Sequence, residues 1–270
     1  MKPSVQSDNR FQSDAGKYAS YLETPEGRLR LELAFANLHE FLPSRQSRDA
    51  MRVLDIGCGT GAAGVGLARL GFDVTLLDSS QGMLELAQRA ALDAGGGCQI
   101  MVRHGDANSL PDLFEPRSFD AILCHNVLEY VDDPGTILCV AARLLRNPSA
   151  ILSLLVRSQL GEVLKAAIQT GDLAAANDAL TSEWGQESLY GGKVRMFTLE
   201  KTRELMKAAS LSIVAERGVR MIVDYLPLEV SRSEQYGRIF DLERKLGSRQ
   251  EFVAVARYIQ VLARPVKDGA

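Results

Sequence analysis

Val53-Leu54-Asp55-Ile56-Gly57-Cys58-Gly59-Thr60-Gly61, followed at Val74-Thr75-Leu76-Leu77-Asp78 by a second apolar run, is the stretch whose reading decides the fold. An apolar run that ends in glycines and then opens a helix lets the backbone come close to a ligand. Asp78 stands 17 residues after Gly61, at the end of the second run. A carboxylate there can accept from both hydroxyls of a ribose, because its two oxygens match a diol. In a dinucleotide site of the G-x-G-x-x-G type the helix N-terminus faces a pyrophosphate. An acid just before the glycines is not needed there, yet Asp55 occupies that place. The plain alternative for Gly57, Gly59 and Gly61 is a tight strand-to-helix turn that binds nothing.

Working outward, strands and helices alternate. Strands are expected at 51–56, 73–78, 98–103, 119–125 and 150–156, with helices at 61–70, 80–94 and 134–146. Apolar strands separated by helices of 10–15 residues imply an α/β fold whose parallel sheet is covered on both faces. Ser79 or Ser80 can cap the second helix, and Pro134 suits a first turn. Upstream, residues 1–10 are polar and expected to fray. Leu29, Leu31, Leu33, Phe35, Leu38 and Phe41 make Glu26–Phe41 an imperfectly amphipathic helix. Pro43 and the polar run Ser44–Ala50 mark a boundary. After the strand 150–156 the alternation breaks. Leu160, Val163, Leu164, Ala167 and Ile168 repeat at helical spacing, a short helix follows near 172–183, and Tyr190-Gly191-Gly192 reads as a turn. Thr198 caps a helix to about Ala209, Leu211–Val219 is extended, and a final strand covers Phe252–Leu262. The expected organisation is an N-terminal helical cap, 1–45, on a domain 46–270 with insertions at about 159–196 and 224–250. Additions at the carboxyl edge of such a sheet are where substrate recognition is expected.

Composition narrows the class. A chain of 270 residues with 46% hydrophobic and 24% charged residues can bury a full core. No run is long and apolar enough to span a bilayer, and the polar N-terminus lacks a signal-peptide core, so a cytoplasmic protein is expected. Cys58, Cys98, Cys124 and Cys139 show no C-x-x-C spacing and read as reduced small hydrophobes. His39, His104 and His125 are scattered, and no metal is expected. The net charge of −3 is uneven. Residues 1–142 carry 12 Lys/Arg against 19 Asp/Glu, and residues 143–270 carry 19 against 15, a positive half suited to an anionic substrate.

The ordered set of Asp55, the three glycines and Asp78 resembles the first two motifs of class I S-adenosylmethionine (SAM) methyltransferases. That resemblance implies a Rossmann-like, mostly parallel seven-stranded sheet with helices on both faces, and SAM as cofactor. Asp55 would then lie near the cationic methionine end, Gly57, Cys58 and Gly59 would form the loop, and Asp78 with Ser79 would meet the ribose. Met83 would press on the adenine or serve as plain core. Gly105-Asp106-Ala107 resembles the site of the adenine contacts, Asp106 accepting from the amino group and the Ala107 amide facing a ring nitrogen. Phe119-Asp120-Ala121-Ile122-Leu123-Cys124-His125-Asn126-Val127-Leu128-Glu129-Tyr130 resembles the fourth motif, which places His125 near the reacting methyl. Leu145-Arg146-Asn147-Pro148-Ser149 departs from the usual proline-glycine-glycine turn, a loop change away from the cofactor.

The whole chain is also similar to the bacterial tRNA 5-carboxymethoxyuridine methyltransferases. Tyr18–Leu38 with Thr24-Pro25-Glu26-Gly27-Arg28-Leu29-Arg30 carries this, as do His125–Tyr130, Gly218–Leu226 and Ala256–Val261. The resemblance implies that Arg30 reaches the methionine carboxylate of SAM and that a nucleoside carboxylate is esterified. A carboxylate is anionic at neutral pH, so positioning suffices. Arg157, Arg195, Arg220 and Arg257 are candidates to hold it, with Tyr225 and Tyr258 as stacking or hydroxyl partners. For each arginine a surface salt bridge is the plain alternative. That family carries a dense lysine run after the fifth strand, and Gly191-Gly192-Lys193-Val194-Arg195 does not reproduce it. tRNA is therefore one candidate partner and a small acidic or phenolic substrate another. A quinone-type or natural-product O- or C-methyltransferase would need a base, for which His125 and Glu129 are the obvious candidates. A SAM-binding module without turnover and, more distantly, a nicotinamide oxidoreductase complete the alternatives.

Overall fold

The computed structural model describes residues 15–42, 51–95, 99–187, 189 and 191–266. Residues 1–10, Pro43 with Ser44–Ala50, Cys98 and Tyr190, all read above, lie outside the described residues. Nine strands follow in chain order: β1 (Arg52–Ile56), β2 (Asp73–Asp78), β3 (Ile100–His104), β4 (Ala121–His125), β5 (Ile151–Arg157), β6 (Trp184–Gln186), β7 (Lys193–Arg195), β8 (Leu211–Val219) and β9 (Tyr258–Pro265). Seven form one sheet in the order β3-β2-β1-β4-β5-β9-β8, and β6 and β7 form a separate hairpin. β1 to β5 are mutually parallel, and β9 runs antiparallel to both β5 and β8. This is the mostly parallel, seven-stranded Rossmann-like sheet expected.

The sheet is buried on both faces, so its central strands are continuously apolar. Alternate residues serve opposite faces. Leu54, Ile56, Ile122, Cys124, Leu152 and Leu154 join a cluster with the helix Pro134–Leu144. Val53, Ala121, Leu123 and Ile151 face the other way, toward Leu67, Ala68 and Ala87 of the helices Ala62–Arg69 and Gln81–Asp93. A third cluster joins Leu29, Leu33 and Ala34 to Leu155, Val219, Ile239 and Tyr258. The N-terminal helix is thereby fixed to the β5–β9–β8 end of the sheet.

Several boundaries differ from expectation. A helix Ala15–Glu23 precedes the expected one, which runs Pro25–His39. Thr24 separates them because a residue before proline avoids the helical region. It sits at φ −67°, ψ 152° and caps the next helix by accepting from the Gly27 amide at 3.1 Å. The last strand begins at Tyr258 and not at Phe252, since Gln250–Val253 is a helical turn. Phe252-Val253-Ala254-Val255 is uniformly apolar, and such a run has no period that separates strand from helix. The segment 159–196 contains the helix Gln159–Leu164, a π-helical turn Lys165–Gln169, the helix Leu173–Ala179 and the β6–β7 hairpin. The segment 224–250 contains the helix Tyr236–Gly247.

β1 is flanked by β2 on one side and β4 on the other. The chain leaves these strands in opposite directions, which opens a crevice beyond their carboxyl ends.

Candidate active site

A cavity of about 670 Å³ occupies that crevice. Its β2–β3 half is built by the glycine loop and by carboxylates. Gly57, Gly59 and Gly61 all lie at positive φ, +63°, +55° and +77°. A Cβ on Gly57 would stand 2.5 Å from Val127 Cγ2, so only glycine lets the loop pass the segment after β4. Asp78 accepts from the Gly59 amide and the Ser80 amide, each at 2.8 Å. Ser80, and not Ser79, caps the next helix by accepting from the Met83 amide. Ser79, Met83, Asp106 and Ala107 line the same half, with Met83 3% exposed. Asp106 accepts from the backbone and side-chain nitrogens of Asn108.

Asp55 and Cys58 do not line this cavity. They border a smaller one of about 40 Å³ behind the loop, which shares Tyr18, Arg30, Gly57, His125 and Asn126 with the large one. Burial, and then repulsion from Asp78, raise the Asp55 carboxyl to about 7, and its Oδ2 has no hydrogen-bond partner. Burial also pushes the Cys58 thiol up. A carboxyl raised in the folded state adds stability below the unfolded value near 4 and loses it as pH rises through about 7. Without cofactor, Asp55→Asn is therefore expected to gain stability over the parent between pH 4 and 7, by a few kcal/mol at most. Chemical denaturation at pH 4 and pH 8 checks this; equal differences at both pH values would count against a raised Asp55.

Arg30, 7% exposed, has no carboxylate partner among the described residues. It donates to Asn126 Oδ1 at 3.0 Å and to the Tyr18 hydroxyl at 2.7 Å. Its guanidinium lies 5.6, 5.1 and 5.6 Å from the ring centres of Tyr18, Tyr21 and Tyr258. A buried cation without an acid is costly, and its position is suited to an anionic end of a ligand. His125, at the end of β4, pairs through Nε2 with Ser153 Oγ at 2.8 Å. Gln260 donates to that same oxygen and to the Ala34 carbonyl, and accepts from Asn37. Burial, and then the Arg30 charge, lower the imidazole to about 3, so it is neutral.

The β5–β9–β8 half carries most of the cations. Arg157 ends β5 and lies across from Tyr258, the first residue of β9, which lies across from Val219 at the end of β8. Because β9 is antiparallel, its start shares an edge with the ends of its neighbours. Arg220 and Arg257 adjoin this row, tied by the Arg257 amide donating to the Arg220 carbonyl. Arg157 pairs with Glu187 at 3.3 Å, Arg257 with Glu162 and Arg220 with Asp224. Lys165 of the π-turn pairs with Glu162 at 3.5 Å and also lines the cavity. Glu129 Oε1 accepts from Asn126 Nδ2 and the Arg157 amide, while burial raises its carboxyl.

Besides Asp55 and Cys58, two residues expected on the acceptor side do not line the large cavity. Arg195 lies on the outer hairpin, donates to the Val131 carbonyl and stacks on Trp184 at 4.8 Å. Tyr225 sits behind Asp224 with its hydroxyl buried. Conversely Tyr18, Tyr21, Asn126, Lys165 and Glu187 line the cavity without having been singled out. Tyr18 and Tyr21, three apart ahead of Thr24-Pro25, carried a readable helical spacing; the others are placed by long-range packing.

The residues suit SAM. Positive-φ glycines leave room for a ligand against the backbone, Asp78 and Asp106 line the cavity with carboxylate acceptors, and Arg30 brings a buried guanidinium with no carboxylate partner among the described residues. Comparison with known proteins agrees. Residues 54–152 match the model of a methyltransferase domain. Over 264 residues, 95% of this chain and 96% of the relative, the chain is 27% identical to the Escherichia coli K12 tRNA 5-carboxymethoxyuridine methyltransferase. It is 34% identical to the Paracidovorax citrulli ubiquinone biosynthesis O-methyltransferase, over 49% of this chain and 58% of that one. A SAM-dependent methyltransferase from Thermotoga maritima shares the fold, with TM-score 0.62 and 17% identity over 95% of this chain and 98% of that one.

Proposed function

We propose that this chain, a class I SAM-dependent methyltransferase, transfers the methyl group to an acidic oxygen, and that the oxygen belongs to the carboxylate of 5-carboxymethoxyuridine in tRNA. Bound SAM supplies a methyl group on a cationic sulfur. In this reading Gly57 and Gly59 admit the cofactor, Asp78 and Ser79 meet its ribose, and Asp106 and the Ala107 amide meet its adenine. Arg30 holds its carboxylate, and Asp55 and Cys58 support the loop from behind. Of the N-terminal segment 1–45, the described residues 15–42 serve as a cap on the catalytic domain assigned to 46–270, whose insertions at 159–196 and 224–250 close the acceptor side. The enzyme works in the cytoplasm; among the described residues no helix is long and apolar enough to cross a membrane.

One observation carries the acceptor class: arginines line the acceptor half, while His125 at the end of β4 is a poor base already paired with Ser153. A base works best with a pKa near the operating pH, and His125 titrates at about 3. Glu129 uses only Oε1 on Asn126 and the Arg157 amide, and its Oε2 is buried without a partner among the described residues. An acceptor that arrives as a carboxylate needs neither. The arginines then orient an oxygen that is already nucleophilic, and catalysis is positioning. The tRNA assignment is supported by the full-length similarity to the E. coli protein. The similarity to the quinone-pathway relative covers half of the chain.

His125→Gln is accordingly expected to lower kcat by less than about tenfold, against the 10²–10⁴ that loss of a general base costs. The kcat of the parent should be flat between about pH 6 and 8. A hundredfold loss in His125→Gln, or a kcat that climbs with pH, would make His125 the base and the acceptor a hydroxyl. The decisive experiment supplies methyl-labelled SAM and bulk tRNA from cells with and without carboxymethoxyuridine. Label confined to the modified tRNA and released by mild base, as an ester releases it, is expected. SAM binding without labelled tRNA would remove tRNA and leave small carboxylates and phenols.

A further inference from the structure

Tyr258 is the first residue of β9 and is 5% exposed. Arg30 and Arg220 lie at its ring, 5.6 and 5.8 Å from the centre. Arg157 is its register partner on β5 and Arg257 its neighbour in sequence. Its hydroxyl makes no hydrogen bond to any described residue, although the residue lines the cavity. Two further buried donors, Arg157 Nη1 and Arg220 Nε, lack a hydrogen-bond partner among the described residues, the first having only an ion pair at 3.7 Å to Glu162. Buried guanidinium donors are normally satisfied, so orphaned donors on two arginines that line the same cavity as Tyr258 mark a place where a ligand completes the bonding. The ligand must be an acceptor of hydrogen bonds and is favoured if anionic.

We propose that the chamber has two anion seats divided by the Tyr258 ring: Arg30 takes the carboxylate of the cofactor, and the Tyr258 hydroxyl with Arg157 and Arg257 takes the carboxylate of the methyl acceptor. This rests on the methyltransferase reading above and names the residues that select the acceptor. Glu162 is the resident counter-charge of the second seat, paired with Arg257 and 3.7 Å from Arg157 Nη1. The incoming carboxylate shares these cations with it. The seat discriminates by charge: an ester or amide of the same acceptor cannot use it equally, so the methylated product is released more readily than the substrate.

The seat is sensitive to pH. Burial alone would raise the Tyr258 phenol, but Arg157, Arg30, Arg220 and Arg257 outweigh it and bring it down to about 7. The other charged groups around it are Glu129 after β4, Glu162 and Lys165 on the insertion helix, Glu187 before the hairpin, and Asp224 after β8. Tyr21 faces it from the N-terminal helix, with its own phenol raised to about 12 by burial. Below neutrality the Tyr258 O–H donates to the bound carboxylate. Above it the phenolate repels the acceptor, so acceptor affinity falls as pH rises through about 7, and a bound carboxylate in turn pushes the phenol upward.

The test uses the full-length protein saturated with S-adenosylhomocysteine and phenoxyacetate as probe, which shares the O–CH₂–COO⁻ group of a carboxymethoxy substituent. Tyrosinate absorbance is followed against pH with and without the probe. The proposal expects a tyrosinate transition near neutrality that phenoxyacetate moves to higher pH, that its methyl ester does not move, and that is absent in Tyr258→Phe. Tyr258→Phe removes only an unpartnered hydroxyl, so it is expected to fold and to bind S-adenosylhomocysteine within about twofold of the parent. Phenoxyacetate should bind it at least about tenfold more weakly at pH 6, the size of one charge-assisted hydrogen bond. An unmoved transition, or equal probe affinity in parent and Tyr258→Phe, would overturn the second seat. Loss of S-adenosylhomocysteine binding in Tyr258→Phe would overturn the division into two. A shift by phenoxyacetate in a protein that methylates no tRNA would uphold the seat and refute only the tRNA assignment.

Discussion

An Arg30→Met protein is expected to bind S-adenosylhomocysteine roughly 10- to 100-fold more weakly than the parent, the worth of one charge-assisted pair, while its melting temperature without ligand is unchanged or higher. The two measurements move apart because Arg30 serves the ligand more than the fold. Its guanidinium is buried with two neutral hydrogen-bond partners and three aromatic rings, and no carboxylate. Taking a cation out of water costs several kcal/mol, and each ring contact returns about 0.5–2 kcal/mol. Methionine keeps the apolar contacts and packs well against aromatic edges without the desolvation cost. Calorimetric titration with S-adenosylhomocysteine and a thermal melt of the same preparation suffice. Unchanged affinity would show that Arg30 does not hold the ligand carboxylate. A large drop in melting temperature would instead make it a strut between the N-terminal helices and β9.

Glu243→Ala is expected to be the more damaging change to the fold, costing about 3–5 kcal/mol, because each buried donor left unsatisfied costs about 1–3 kcal/mol. Glu243 is fully buried on the helix Tyr236–Gly247. It accepts from three successive amides, Met221, Ile222 at 3.0 Å and Val223 at 2.9 Å. Those amides follow Arg220, whose backbone is at φ +63°, a conformation that a side chain other than glycine adopts only when its surroundings impose it. The carboxylate imposes it here by collecting the next three N–H groups. Removing it orphans them and frees Arg220 to relax. At about 2–4 °C per kcal/mol for a chain of this size, the melting temperature should fall by about 6–20 °C. Acceptor KM should rise with little change in S-adenosylhomocysteine affinity, because Arg220 lies on the acceptor side. Glu243→Gln should fall between, since its oxygen can still serve Ile222 and Val223 while its NH₂ faces the Met221 donor. A melting temperature within about 2 °C of the parent in Glu243→Ala, less than one kcal/mol, would show that solvent replaces the carboxylate and that the loop shapes itself.

The glycine loop and the carboxylates beyond the strand ends were legible because each is a local feature. Gly57, Gly59 and Gly61 were visible as glycines at a strand end, and all three are at positive φ. Asp78 ends β2 and Asp106 follows the end of β3, as expected, and the alternation of apolar faces placed β1, β2, β4 and β5 within a residue or two. Failures came where local pattern is silent. The helix Ala15–Glu23 is 9 residues long, shorter than the window over which a helical period declares itself. The start of β9 was misplaced by six residues because Phe252–Val255 is apolar throughout.

By itself the sequence determined a parallel α/β sheet, a glycine loop at its carboxyl edge and an acid at the end of the next strand, since backbone sterics and a period of two act between near neighbours. Which arginines share a chamber was decided only in three dimensions. Arg157, Arg220 and Arg257 meet because β9 inserts antiparallel between β5 and β8, which brings the start of one strand beside the ends of two others. Arg195, an equal candidate by residue type, was carried onto the outer hairpin to stack on Trp184. The physical reason is that strand order is set by burial of whole faces across more than a hundred residues, and no spacing within one segment records it.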